Sequence, residues 1–158
     1  MTTNGYIVGI FTASQSRGAV TEHNAVQLHQ GKGIVGDRHY RQRNAPENQL
    51  TLIEAEVIEA FNGQHNASIK SGDFRRNVVT RGAPLNDLVG KEFTIGSVRL
   101  RGIELCEPCA VIGKLLQQPS LSAAHVVRSL VHKGGLRAQI LSNGVIRQND
   151  PIYYEPLL

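Results

Sequence analysis

Residues 92–109 (EFTIGSVRLRGIELCEPC) give the clearest indication of the fold. Alternating apolar residues on the two sides of Gly96-Ser97 predict two strands, Glu92–Ile95 and Val98–Leu105, that are joined by a two-residue hairpin turn. Two cysteines follow at positions 106 and 109, directly before an apolar run that favours a helix. The segment therefore predicts a β-rich chain that carries a cysteine pair where a strand gives way to a helix.

Short β-type runs separated by glycines continue on both sides of this segment. The other predicted strands are residues 6–12, 20–28, 50–53, 77–80, 136–141 and 145–154. The predicted helices are residues 54–62, ended by Gly63, residues 110–117 and residues 122–131. Strands do not alternate regularly with helices, which argues against a parallel α/β sheet. The pattern predicts a mainly β fold with minor helical content, a barrel or a sandwich.

Length and composition limit the class of protein. A chain of 158 residues with 41% hydrophobic residues and a mean hydropathy of −0.20 fits one soluble globular domain. No N-terminal signal pattern and no run of about 20 apolar residues is seen, so we expect a cytoplasmic protein without a membrane segment. The net charge of +4 allows an anionic ligand, but does not by itself indicate a nucleic-acid partner.

The cysteine count excludes a disulfide scaffold and an iron–sulfur cluster held by four cysteines, because the chain has two cysteines. Pro108 is placed to open the following helix and would leave Cys109 in its first turn, where the helix N-terminus stabilises a thiolate. Four interpretations remain open for the pair: inert buried thiols, half of a zinc site, a Cys106–Cys109 redox dithiol, or one reactive thiolate at Cys109.

Two polar segments are further candidates for a binding site. In residues 36–39 (GDRH), Arg38 can bind an anion in fork geometry and Asp37 could hold it in place. In residues 72–77 (GDFRRN), the adjacent Arg75 and Arg76 would point to opposite sides of a strand, so that one faces a pocket. Asn77 offers both a donor and an acceptor to a heterocycle. A local ion pair and a solvated charge run explain the same residues equally well.

Taken in order, these segments resemble a known family. The motifs are GIVGDRH at residues 33–39, QLTLI at residues 49–53, DFRRNVVT at residues 73–80, CEPC at residues 106–109, and the glycines Gly134, Gly135 and Gly144. They resemble a MOSC domain, the module found at the C-terminus of molybdenum cofactor sulfurases and in the mitochondrial amidoxime-reducing component. The likeness spans residues 5–155 and implies a single MOSC domain with a MOSC-type β-barrel.

The resemblance also implies an association with the molybdenum cofactor, a pterin that carries a phosphate and a metal dithiolene. The characteristic cysteine of the family matches Cys109, whereas Cys106 matches a position that is not always cysteine. Asp37 and Arg38 match the Gly-Asp-Arg segment of the family. Arg75 and Asn77 match its Phe-Arg-x-Asn segment. These four residues are the expected cofactor-binding residues.

The resemblance leaves two mechanisms for Cys109. It can carry sulfur as a persulfide, or it can ligate molybdenum for reductive chemistry. The chain lacks a pyridoxal-phosphate site, so in the first mechanism a pyridoxal-phosphate-dependent cysteine desulfurase or a molybdoenzyme would be the donor or acceptor of sulfur. The alternatives are a non-catalytic module that binds a pterin or a sulfur donor, and a Cys106–Cys109 redox dithiol.

Overall fold

β-Strands provide most of the regular structure of the protein. The computed structural model describes residues 2–155, with side chains from residue 5 onward. In chain order, the strands are β1 (Thr2–Thr12), β2 (Thr21–Glu22), β3 (Ala25–His29), β4 (Gly33–Ile34), β5 (Leu50–Glu54), β6 (Val78–Arg81), β7 (Glu92–Ile95), β8 (Val98–Leu105), β9 (Leu136–Ile140), β10 (Gly144–Arg147) and β11 (Pro151–Tyr154). The α-helices are α1 (Ala55–His65), α2 (Ala110–Leu116) and α3 (Ala123–Ser129). The predicted fold class, mainly β with minor helical content, is confirmed.

Seven strands close into a barrel. Around the ring the order is β1, β6, β5, β9, β8, β7 and β11, and β11 pairs again with β1. The pairs are antiparallel except for β5 and β6, which run parallel and are connected through α1. Closure leaves no free edge within the ring, which removes the usual site of strand-to-strand aggregation.

The core follows from the alternation of side chains along the strands. In β8, Val98 and Leu100 point inward and are buried, while Arg99 and Arg101 are exposed. A second apolar cluster lies between the barrel wall and the helices, and includes Ile112 and Val126 from α2 and α3. The helices therefore pack on the outside of the barrel, where they can hold the loop that carries the cysteines.

Two predicted strands are interrupted. Residues 20–28 form β2 and β3 instead of one strand, because the chain bends at Asn24. Residues 145–154 are divided between β10 and β11 by a turn at Gln148-Asn149, next to which the Asp150 carboxylate accepts the Arg147 N–H at 2.8 Å. As a result, β10 leaves the barrel and forms a second sheet with β3 and β4.

Helix ends also differ from the sequence prediction. Gly63 does not end α1, which continues to His65 and is capped by Asn66 at a left-handed φ of 49°. Helix α3 ends at Ser129 and not at residue 131. The loop at residues 40–49 is held by Asn44, whose amide donates to the Lys32 and His39 carbonyl oxygens. Within residues 2–155, no helix is both long enough and apolar enough to cross a membrane.

Candidate functional site

The CEPC loop (residues 106–109) joins the end of β8 to the start of α2. Its first residue, Cys106, donates its N–H to the Gly135 carbonyl oxygen at 2.7 Å. A Cβ at Gly134 would overlap the Cys106 carbonyl oxygen, so the close approach of these two segments requires glycine. The Glu107 carboxylate accepts the backbone N–H of His132 at 3.0 Å and lies 3.2 Å from its ring Nδ1. The loop is therefore fixed against the turn before β9.

Cys109 lies at the N-cap of α2, not in the first turn as the sequence predicted. Its side chain is exposed. The backbone N–H groups of Ile112 and Val111 lower the pKa of the Cys109 thiol, partial burial opposes this effect, and the charges of Arg76 and Arg137 lower the pKa further. The geometry of a full N-cap hydrogen bond to the sulfur is not met, so these N–H groups act on the thiolate through their partial positive charge. Cys109 therefore presents an accessible thiol that ionises more readily than an ordinary cysteine.

Cys106 has the opposite environment. It is 1% exposed and belongs to the buried core. Burial raises the pKa of the Cys106 thiol, and this effect outweighs the opposing charges of Arg76 and Arg137. Both thiols are free. Of the two thiols, Cys109 is therefore the exposed one with the lowered pKa, and Cys106 is the buried one with the raised pKa.

Arg76 is the arginine that the fold brings to the cysteines. Arg75 ends a short 3-10 helix (Ser71–Phe74) in the left-handed region, with φ of 60°, and neither arginine lies on the strand. The strand alternation predicted for this pair is therefore wrong. The Arg76 side chain turns inward, and its Nε donates to the Gly134 carbonyl oxygen at 2.8 Å. Burial lowers the pKa of Arg76, while the nearby Cys106 and Cys109 thiols raise it.

Arg38 is positioned by a buried carboxylate, as the sequence suggested for Asp37. The two Asp37 oxygens accept the N–H groups of Ala13 at 3.1 Å and of His39 at 3.2 Å. Arg38 Nη1 lies 3.7 Å from Asp37 Oδ1. Burial is the largest cause that lowers the pKa of Arg38; Asp37 opposes it, and the charges of Arg75 and Arg76 lower it further. The Arg38 guanidinium thus lies close enough to Arg75 and Arg76 for their charges to act on it.

Arg75 lies near Arg38 and is held in place by the backbone. Its Nη1 donates to the Gly18 carbonyl oxygen at 2.9 Å, which ties the loop after β1 to the segment before β6. Its Nη2 is buried and has no hydrogen-bond partner among the residues that the structure describes. A buried donor without a partner is costly, so a ligand that accepts a hydrogen bond there would stabilise the site.

The Asn77 side chain is buried and forms hydrogen bonds with two neighbouring strands. Its Nδ2 donates to the Phe11 carbonyl oxygen at 3.1 Å, and its Oδ1 accepts the backbone N–H of Thr51 at 3.1 Å. The amide therefore links β1, β5 and the start of β6. A contact between Asn77 and a pterin stays a prediction, and the structure gives the residue a second role in holding three strands together.

In the site as a whole, the charges of Arg76 and Arg137 act on the exposed Cys109 thiol, and Arg38 lies near both Arg76 and Arg75. We call Arg38, Arg75, Arg76 and Arg137 the arginine cluster. The sequence prediction missed Arg76 as a site residue, although the Arg75-Arg76 pair was visible, and missed Arg137 on β9 entirely. Asp37 is the carboxylate that pairs with the cluster. Such a site favours an anionic ligand that has a soft, thiophilic centre.

The described residues contain no group of three or more histidine, cysteine, aspartate or glutamate side chains that could together hold a metal ion.

Comparison with known proteins supports the same fold. The family model described as the MOSC domain matches residues 35–153. No curated protein matches the chain. Among solved structures, the YUAD protein from Bacillus subtilis superposes with a TM-score of 0.81 at 20% sequence identity, covering 94% of each chain.

Two YiiM structures are also similar. YiiM from Geobacillus stearothermophilus has a TM-score of 0.67 at 16% identity, covering 96% of this chain and 75% of its own. YiiM from Escherichia coli has a TM-score of 0.68 at 15% identity, covering 98% and 71%. At these identities the structural likeness establishes the fold, and the family model establishes the family.

Proposed function

The chain belongs to the MOSC domain family, and we propose that Cys109 and the arginine cluster together bind the molybdenum cofactor. The observation that carries this proposal is the exposed Cys109 thiol, with its lowered pKa, beside the charges of Arg76 and Arg137. A thiolate is a soft ligand suited to such a metal, and guanidinium groups bind phosphate in bidentate geometry. A persulfide alone would not need four arginines.

The residues present fit this cofactor. The pterin is anionic, and the cluster provides four cations, one of which has a buried nitrogen without a partner. The metal would take one ligand from the protein, Cys109, and others from the dithiolene. The net charge of +4 would favour capture of the anion.

The residues of the protein would bind the cofactor and orient it. Cys109 is available as a thiolate because the N–H groups of Ile112 and Val111 stabilise its charge. Arg76 is fixed through Nε, which leaves its Nη groups to pair with an anion. Arg38 is held near its position by Asp37. The bound cofactor would supply reductive chemistry at this end of the barrel.

The test is metal analysis of the protein produced in a host that makes the cofactor. Wild type and a Cys106→Ala control should carry molybdenum, whereas Cys109→Ser should lose at least about tenfold in bound metal because the protein ligand is gone. Equal and negligible molybdenum in wild type and Cys109→Ser would contradict the proposal.

Sulfur carriage is a second candidate, favoured by the exposure of the Cys109 sulfur to a donor protein. The Cys109 thiolate would attack the terminal sulfur of a persulfide on a pyridoxal-phosphate-dependent cysteine desulfurase. The donor's S–S bond breaks, the donor cysteine leaves as a thiolate, and a persulfide forms on Cys109. The exchange is redox-neutral and needs no further reactant.

This candidate is tested with a desulfurase loaded with ³⁵S-labelled sulfur. Label should move to wild type and be released by a reducing agent, while Cys109→Ser should acquire none. If wild type acquires no label from the loaded desulfurase, the carrier role is excluded.

A further inference from the structure

A cavity of about 350 Å³ lies beside the helix that begins after Cys109. Arg17, Ala110, Val111, Lys114 and Leu115 line it, and we call it the α2 cavity. Its volume is in the range of small-molecule sites, which is roughly 300–1,000 Å³. Cys109 itself is not among its lining residues, so the cavity is a neighbour of the thiolate site and not part of it.

The apolar part of the cavity is the outer face of α2. Val111 and Leu115 are one helical turn apart and remain 52% and 48% exposed. The opposite face of α2, with Ile112 and Leu116, is buried in the second apolar cluster. The helix cannot rotate to hide the outer face, because Gly113 packs so closely on α3 that a Cβ there would lie 2.7 Å from the Ala123 carbonyl oxygen.

Single exposed apolar side chains are common on protein surfaces and need no explanation. Tyr6 on β1 and Val89 in the loop before β7 are examples here, with exposures of 41% and 40%. Val111 and Leu115 differ from them because they share one helix face and one cavity with two cations.

The polar part of the cavity is positive. Among residues 2–155, no carboxylate is recorded within ion-pair distance of Arg17 or Lys114, and none lines the cavity. Arg17 has a left-handed φ of 60°, a conformation that costs energy for a residue with a side chain. Its neighbour Gly18 is held through its carbonyl oxygen by Arg75 Nη1. The loop that presents Arg17 is therefore anchored to a member of the arginine cluster.

From this arrangement we propose that the α2 cavity binds a small organic anion with an apolar body. The apolar body lies on Val111 and Leu115, and the anionic group pairs with Arg17 and Lys114. This binding does not require the cofactor. The inference thus adds a second ligand site beside the thiolate site.

The experiment titrates the full-length, ¹⁵N-labelled protein with octanoate, and in parallel with octanamide, which has the same length but no charge. Octanoate should shift the backbone resonances of residues 110–115 and bind about fivefold more tightly than octanamide, as expected for surface-exposed ion pairs. Lys114→Gln should remove most of this preference without removing binding of the apolar body.

Leu115→Glu should weaken octanoate binding by about tenfold, because it removes apolar contact and introduces a like charge. Val89→Glu, a matched change outside the cavity, should leave it unchanged. If Leu115→Glu fails to fold, the comparison of octanoate with octanamide on the wild-type protein still tests the proposal. Equal binding of the two ligands, shifts elsewhere than residues 110–115, or an equal loss in Val89→Glu would overturn the proposal.

The outcome is separable from the cofactor proposal. Octanoate binding at α2 in a protein that acquires no molybdenum would leave the cavity established and the cofactor role excluded. Molybdenum bound through Cys109, without octanoate binding, would support the cofactor role and overturn the proposal for the α2 cavity. Octanoate binding that persists in Cys109→Ser is expected, since Cys109 does not line the cavity.

Discussion

Cys106 and Cys109 are three positions apart and lie at the two ends of the CEPC loop. Their environments are opposite. Cys106 is packed under the turn of Gly134 and Gly135, where burial keeps its thiol neutral. Cys109 faces solvent at the start of α2, where backbone N–H groups and two arginines favour its thiolate. The same side chain thus packs in the core at one end of the loop and is an exposed thiol with a lowered pKa at the other. The difference arises from local dielectric and charge and not from residue type.

The largest effect, on the free energy of unfolding, is expected from a substitution at the buried end of the CEPC loop. Gly134→Ala would force a methyl group onto the Cys106 carbonyl oxygen, and should destabilise the protein by about 3 kcal/mol, as for an overpacked core site. Denaturant unfolding measures the change. Gly63→Ala is the control, because its Cβ would meet nothing within 4 Å and should stabilise α1 by up to about 1 kcal/mol. Equal effects of the two substitutions would show that the close approach at Gly134 is unimportant.

The second effect is a difference in the rate at which the two thiols are chemically modified. At neutral pH, iodoacetamide should modify Cys109 about 100-fold faster than Cys106, because it reacts with exposed thiolates. Peptide mass spectrometry after timed quenching measures both rates in one sample. Similar rates for both cysteines would contradict the difference in environment. A reversible loss of two mass units under mild oxidation would instead support the redox dithiol.

The smallest effect concerns the charge beside Cys109. The Ile112 N–H is the larger cause of its lowered pKa, and Arg76 contributes less. Removing a positive charge destabilises the thiolate, so Arg76→Gln should raise the pKa of Cys109. The modification rate near neutral pH should then fall by about threefold, whereas the plateau rate at alkaline pH should stay the same. The pH profile of modification is the measurement, and Arg99→Gln, far along β8, is the control. An unchanged profile would show that Arg76 does not influence the thiolate.

The sequence alone identified those features that depend on local pattern. The hairpin at Gly96-Ser97 and the helix that starts at Ser122 were predicted correctly, because turn chemistry and capping are encoded within a few residues. The family motifs pointed to Cys109, and its placement at the start of α2 is what lowers the pKa of its thiol. Closure of the barrel by β1 and β11 could not be derived, because nothing local specifies which distant strands pair.

The site was less predictable than the fold for the same physical reason. A left-handed residue at Arg75 changes the direction of the chain, and the neighbouring Arg76 then reaches Gly134, which lies 58 positions later in the sequence. Arg137 joins the site because β9 pairs with β8, the strand that leads into the CEPC loop. Both contacts depend on tertiary pairing, and alternation along a supposed strand gave the wrong geometry for the arginine pair.

The pairing of β1 with β11 sets the order of events during synthesis. Thr3 pairs with Tyr153, so the two strands that close the barrel are made at opposite ends of the described chain. At about 5–20 residues per second, β1 waits on the order of 10 s before its partner exists. The site elements β8, α2 and β9 are complete before closure, yet the wall that supports them is still open. We therefore expect the pKa of the Cys109 thiol to reach its native value only after β11 has emerged from the ribosome and paired with β1.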